Sequence, residues 1–328
     1  MSTREPAVSP FRHEALFYQG VDGFVAGTAG FVREGLGVGE AVLVAVIAER
    51  ARALREELSG DAAAVEFLDV AELGRNPARI IPAWWDWVER NTARGTAFRG
   101  VGELLWNGRS ELEIRECRTH ERLIGTAFGA GSGPGWTLLC PYDAASLPAQ
   151  LLDDVAGAHP VVHGRSRTGG EAQGVRAVPA APAGPATTPF TPFDFPLPEL
   201  GPPLYATGFG AGQLPALRVA VKERADRLGL RGRGVADFVL VADELACNSV
   251  VHGGGRGTLA LWAQDAYAVC EVRDAGLIRD PLVGRRRPDL RSPLGGAGLW
   301  TANQLCDLVL IHSTPADGTA VRAYLRTR

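Results

Sequence analysis

The stretch "DELACNSVVHGGG", residues 243–255, sets Glu244, Asn248 and His252 four residues apart and then runs into three glycines. On a helix that spacing stacks the three side chains in one row. Apolar Leu240, Val241, Leu245 and Val251 are expected on the other sides, and Cys247, about 100° around from Asn248, is read as core. An acid, an amide and a histidine in a row make either a solvated face or a nucleotide-and-metal site. Two later segments supply what a nucleotide needs. "VRDAG" (272–276) closes a strand with Asp274 and then Gly276, and "GGAGLW" (295–300) is a glycine-rich turn opening a helix. Unpaired N–H groups and the helix dipole at such a turn favour phosphate.

A second set of chemistry-bearing residues lies in the first half. His13, Glu103, Cys140, Tyr142 and His159 fall near predicted strand ends, where open α/β sheets bind ligands. They line a ligand pocket, or His13 and His159 are ordinary caps and interface residues. A metal site is not expected, because no local pair of ligands has metal spacing. Trp84, Trp85 and Trp87 on one helix are read as core.

The elements that must position these residues follow from the patterning. Residues 11–163 alternate apolar runs such as "EAVLVAVI" with amphipathic ones such as "AERARALREELSG". Strands alternating with helices of that length predict crossover units and a mainly parallel α/β sheet. Residues 164–203 lose periodicity, and nine prolines between 179 and 203 prevent regular helix or central strand. We read this stretch as a linker whose end packs on the second domain, because Phe190, Phe193 and Phe195 are too apolar for free coil. Residues 204–328 predict two long helices, three strand signals and a short helix, in a two-layer α/β sandwich with a mixed sheet.

Composition bounds the rest. The chain has 328 residues, which favours two domains. Its formal net charge of −3 gives no footprint for direct nucleic-acid binding. The five cysteines never adopt CxxC spacing, as expected of reduced thiols in a cytoplasmic protein. No apolar run follows the basic residue near the start, and the longest, "AVLVAVIA", is too short for a bilayer. A cytoplasmic protein without membrane contact is expected.

The segments "ADELACNSVVHGG", "VRDAG", "GGAGLW" and "GTAVRAYL", in this order, resemble the ATP-binding fold of gyrase-type ATPases, Hsp90 chaperones, histidine kinases and mismatch-repair ATPases. The resemblance is closest to the anti-sigma factor serine kinases. It implies that Asn248 holds Mg²⁺, that Glu244 is the general base, and that Asp274 accepts from the adenine amino group of ATP. It further implies that Gly276 and Thr319 support the base and that Gly296, Gly298 and Leu299 cradle phosphate. Loop 277–294, with Arg279, Arg285, Arg286 and Arg287, becomes a lid. The first half, through "HEALFYQG", "REGLGVGEAVLVAV", "LLCPYD" and "HPVV", is similar to MEDS-type sensory domains, a RecA-like fold. No GxxxxGK[ST] loop follows any of its strands, so no nucleotide hydrolysis is expected there.

What the resemblance implies is a Mg-ATP-dependent serine/threonine kinase acting on an anti-sigma antagonist, sequestering a sigma factor as a dimer, and governed by the sensory domain. A non-enzymatic ATP/ADP-dependent switch for a sigma factor is the alternative. An orphan histidine kinase is a third reading, but no phosphoacceptor histidine lies in the helix before the ATP domain. A transducer domain of gyrase or mismatch-repair type is not expected.

Overall fold

The structure is a computed structural model describing residues 11–129, 135–164, 192–288 and 297–327. Contacts divide the chain into two compact units, Met1–Gly74 with Ala83–Pro189 and Phe190–Arg328 with Arg75–Pro82.

In the first unit the chain runs β1 (Arg12–Tyr18), α1 (Gly20–Gly37), β2 (Ala41–Val46), α2 (Ala48–Leu58), β3 (Val65–Asp69) and α3 (Val70–Leu73). It continues through α4 (Ile80–Ala93), β4 (Phe98–Gly102), α5 (Glu111–Phe128), β5 (Thr137–Asp143), α6 (Ala149–Ala158) and β6 (Val161–His163). The six strands form one parallel sheet in the order β3-β2-β4-β5-β1-β6. Val42 to Val46 of β2 are all buried, as a strand covered on both faces requires. Trp84 and Trp87 are core residues, packed with Phe98 and Trp136. The start of α5 is fixed by a reciprocal cap. The Ser110 amide donates to Glu113 Oε2 at 2.8 Å, and the Glu113 amide donates to Ser110 Oγ at 3.3 Å.

The second unit contains β7 (Tyr205–Gly210), α7 (Leu214–Arg224), α8 (Arg233–His252), β8 (Arg256–Gln264) and β9 (Tyr267–Asp274). It ends with α9 (Gly298–Leu305), β10 (Leu308–Thr314) and β11 (Gly318–Arg326). The sheet order is β10-β11-β9-β8-β7 and every pairing is antiparallel, not mixed as expected. Strand β7 was not anticipated, because its glycine-rich "YATGFG" lacks an apolar alternation. It forms by pairing with β8 at the sheet edge.

Helix α8 is the spine of this layer. Phe238, Val241, Ala242, Leu245 and Ala246 bury one face among Leu259, Leu261, Cys270, Val272 and Ala323 of the sheet. Leu240 and Val251 were expected to share that burial, but they are 43% and 68% exposed. The helix needs only one apolar stripe because the sheet covers only one side. The described end of the expected linker does pack here. Phe193 is buried and its carbonyl accepts from the Ser313 amide at 2.8 Å, which covers part of the β10 edge, while Phe195 stays exposed. Phe190 and residues 165–191 lie outside the described residues.

Replacing Ser110 by Ala removes one side of the α5 cap and leaves its exposed surroundings otherwise unchanged. The expected loss is about 1 kcal/mol of stability, read as a lower urea midpoint at unchanged slope.

Candidate functional site

The stripe on α8 that faces away from the sheet carries Glu244 and Asn248, both partly exposed. The first residue of α9, Gly298, is buried against them. A Cβ built on Gly298 would lie 2.7 Å from Asn248 Nδ2 and 3.1 Å from Glu244 Oε2. Only a residue without a side chain lets the start of α9 approach this closely, so amide, carboxylate and helix N-terminus converge. No hydrogen-bond partner for the Asn248 side chain occurs among the described residues. Burial, and then the neighbouring Asp243, push the Glu244 carboxyl above the ordinary range. Cys247, expected in the core, is only half-buried on the same side of the helix as Asp243 and Glu244.

Asp274 ends β9 and is held from two directions. Ser249 Oγ donates to its Oδ2 at 2.5 Å, and the Gly276 amide donates to its Oδ1 at 2.8 Å. A Cβ on Gly253 would overlap this carboxylate, so the turn after α8 must be glycine at that point. Thr319 lies opposite Asp274 in the β11–β9 pairing, and its Oγ1 donates to the Gly276 carbonyl at 2.9 Å. That hydroxyl also meets Ser313 Oγ at 2.7 Å, and Ser313 Oγ in turn accepts from the Ile278 amide at 2.9 Å. The hydroxyls of Ser249, Ser313 and Thr319 thus fix the carboxylate and the chain after it. Ser249, Ser313 and Gly253 were not singled out in the sequence. Ser249 was legible in principle, one position after Asn248 and one helical turn from the core residue Leu245.

These elements enclose a cleft of about 300 Å³, the lower end of the range for small-molecule sites. Leu245, Val272, Ile278, Leu299 and Val321 supply apolar wall, and Asn248, Asp274, Thr319 and Arg279 supply polar groups. His252 lines the cleft but is otherwise exposed. Of the expected arginine lid, residues 277–288 are described and 289–294 lie outside the described residues. Arg279, Arg286 and Arg287 are exposed, but Arg285 is 4% exposed, and the adjoining Gly284 carbonyl accepts from Asn303 Nδ2 at 2.9 Å. The turn containing Arg285 is therefore packed onto α9, and its Val283 lines the cleft. Gly295 and Gly296 of the glycine turn fall outside the described residues.

In the first unit the five candidate residues separate into two groups. Glu103 joins Arg50, Tyr18 and Asp143. Its Oε1 lies 3.1 Å from Arg50 Nε, and its Oε2 accepts from the Ile47 amide at 3.1 Å. Arg50 Nε also donates to the Tyr18 hydroxyl at 2.6 Å. Burial pushes the Glu103 carboxyl up to about 7, against the pull of Arg50 and the Ile47 amide. His13, Cys140, Tyr142 and His159 come together elsewhere, with Glu121 of α5 among them. Glu121 was missed because nothing near it in sequence marks it.

Comparison with known families finds one match in each half of the chain. Residues 12–160 match the MEDS family, described as the methanogen/methylotroph, DcmR sensory domain. Residues 210–325 match the histidine kinase-like ATPase domain. A sensory domain thus precedes an ATPase-type domain in this chain. No curated protein matches it. Among the described residues, no helix is long and apolar enough to cross a membrane.

Two outcomes follow. Gly298→Ala places a methyl between Asn248 and Glu244. Nucleotide affinity should fall at least about tenfold, with circular dichroism unchanged, since overpacking costs about 1–3 kcal/mol. For Glu103, the folded carboxyl binds its proton more tightly than the unfolded one, so its contribution is complete below about pH 4.5 and is lost as pH rises to about 7. Over that window wild type should lose stability relative to Glu103→Gln with a slope approaching about 1.4 kcal/mol per pH unit. Urea titrations of both proteins at several pH values measure that difference.

Proposed function

We propose that this chain is a signalling regulator whose C-terminal domain binds Mg-ATP and passes the γ-phosphoryl group to a serine or threonine of an anti-sigma antagonist. In the same reading the ATP-bound domain sequesters a sigma factor as a homodimer, and the N-terminal sensory domain governs the exchange. The observation that carries the proposal is the seating of Gly298 against Glu244 and Asn248, beside a cleft walled by Asp274.

Each residue has a part that its surroundings support. The Asp274 carboxylate accepts two protein hydrogen bonds and keeps lone pairs for the exocyclic amino group of adenine. Guanine would present a carbonyl oxygen there and be repelled. Leu245, Ile278, Leu299 and Val321 offer apolar surface to the base. The first N–H groups of α9, which have no acceptor within the helix, donate to phosphate oxygens.

The hard oxygen of Asn248, and the gap that a Cβ on Gly298 would fill, suit magnesium, which would neutralise the triphosphate. Asn248 Oδ1 is the ligand. Glu244 takes the proton of the attacking hydroxyl, for which a raised carboxyl pKa is apt. The hydroxyl oxygen bonds to the γ-phosphorus as the bond to the β–γ bridging oxygen breaks, and ADP leaves with that electron pair.

Calorimetry on the full chain tests the binding half of this reading. Asp274→Asn should weaken ATP by about 10- to 100-fold, the cost of one hydrogen bond to a charged acceptor. Asn248→Ala should remove the dependence of binding on Mg²⁺. Glu244→Gln should bind ATP normally and slow phosphoryl transfer to an antagonist protein by about 10²- to 10⁴-fold. Unchanged ATP affinity in Asp274→Asn and Asn248→Ala would reject the site. Tight ATP and sigma-factor binding without any transfer by wild type would leave a binding switch in place of a kinase.

A further inference from the structure

The first unit buries a second constellation that the ATP reading does not use. His13 stands on β1, Cys140 on β5, Glu121 on α5, and His159 follows the last residue of α6. All four are buried, at 7%, 3%, 6% and 5% exposure, and one ligand atom from each lies within 4.8 Å of the others. His13 Nε2 is 3.2 Å from Cys140 Sγ and 3.5 Å from Glu121 Oε2, and His159 Nε2 is 3.6 Å from the same Glu121 oxygen. Four ligands in a tetrahedron with bonds of about 2.0–2.3 Å stand about 3.3–3.8 Å apart, so the two separations to Glu121 are those of a tetrahedral ion's shell and the His13–Cys140 contact is slightly shorter.

The orientation of the donors is set from outside the cluster. His159 Nδ1 donates to the Val155 carbonyl at 2.8 Å, which fixes the proton there and leaves the lone pair of Nε2 facing Glu121 and His13. The Tyr142 hydroxyl donates to Glu121 Oε1 at 2.7 Å, which turns Oε2 toward the same point. Among the described residues, neither His159 Nε2 nor Glu121 Oε2 has a hydrogen-bond partner. Two fully buried acceptors facing one another with nothing between them are costly unless a proton or a metal ion satisfies both.

We propose that His13, Glu121, Cys140 and His159 form a closed site for one divalent transition-metal ion of the zinc class in the N-terminal domain. The charges balance, because a thiolate and a carboxylate neutralise a 2+ ion and both imidazoles bind as neutral ligands. Loading forms four ligand bonds and releases to solvent the proton of Cys140 and the one that burial favours on Glu121, with no change of oxidation state. Four protein ligands leave no open position, so the ion holds β1, β5, α5 and the end of α6 together and has no catalytic part.

The test strips the full-length protein with a chelator and titrates Co²⁺ and then Zn²⁺. The expected result is one Co²⁺ per chain, with a thiolate-to-metal charge-transfer band and the visible bands of four-coordinate cobalt, all removed by Zn²⁺. Cys140→Ser should abolish the charge-transfer band and loosen Co²⁺ by about 100-fold or more, whereas Cys247→Ser, which alters a half-buried cysteine of the other unit, should change neither. Tyr142→Phe, which removes the orienting bond to Glu121 and leaves all four ligands, should loosen Co²⁺ by about tenfold. Zn²⁺ should raise the thermal midpoint of wild type and not that of Glu121→Gln, whose fold is checked by circular dichroism. Failure of folded wild type to bind Co²⁺ or Zn²⁺ overturns the proposal without reference to any variant. A charge-transfer band that persists in Cys140→Ser overturns it equally.

Discussion

The Asp274 carboxylate is the joint on which the ATPase-type domain depends. It sits at the end of β9, yet Ser249 of α8 and the amide of Gly276 both donate to it. A half-buried carboxylate is costly unless its inward oxygens are hydrogen-bonded, and charge-assisted bonds of this kind are among the stronger ones. The joint sets the end of the helix against the end of the strand. It also explains the glycines around it. Gly253 and Gly276 lie where a Cβ would collide with the carboxylate or the facing backbone. Gly298 obeys the same rule on the other side of α8, where a side chain would displace Asn248. Close approach of backbone to polar side chains is thus the common constraint, and the cleft is what remains between the points of contact.

Much of this was legible because it is local or periodic. Four-residue spacing puts Glu244 and Asn248 in a row whatever the tertiary fold, and the apolar stripe of α8 follows from the same period. The parallel sheet of the first unit was legible from apolar runs spaced by amphipathic helices. What could not be read depends on partners distant in the chain. Leu240 and Val251 are apolar but meet no second layer, so they stay exposed. Arg285 carries a charge and is expected in a lid, yet it is buried and its turn is packed against α9. Strand β7 has no pattern of its own and exists because β8 offers an edge. Ser313 and Thr319 meet only because the β10–β11 register sets them opposite one another.

The first unit shows the same constraint resolved in two ways on one sheet. At Glu103 the chain supplies its own cation, since Arg50 reaches Glu103, Tyr18 and Asp143 together. That cluster is internally satisfied, and its charges cost little beyond their desolvation. At Glu121 the neighbours are His13, His159 and Cys140, and the described residues bring no arginine or lysine to it. Burial drives the Glu121 carboxyl and the Cys140 thiol upward and His13 downward, the directions in which each group sheds charge.

A cluster built only to be neutral would be expected to close its remaining hydrogen bonds internally. This one closes only the His13–Cys140 contact, at 3.2 Å; the outer atoms are satisfied by Val155 and Tyr142, while His159 Nε2 and Glu121 Oε2 face each other across 3.6 Å without a hydrogen bond. Orientation from behind with open lone pairs in front is the arrangement by which a protein holds imidazole and carboxylate for an ion. Glu103 and Glu121 are both buried glutamates of the same domain. What separates a structural ion pair from a ligand set is the direction in which the neighbouring donors point, a property of the folded sheet that no spacing in the sequence encodes.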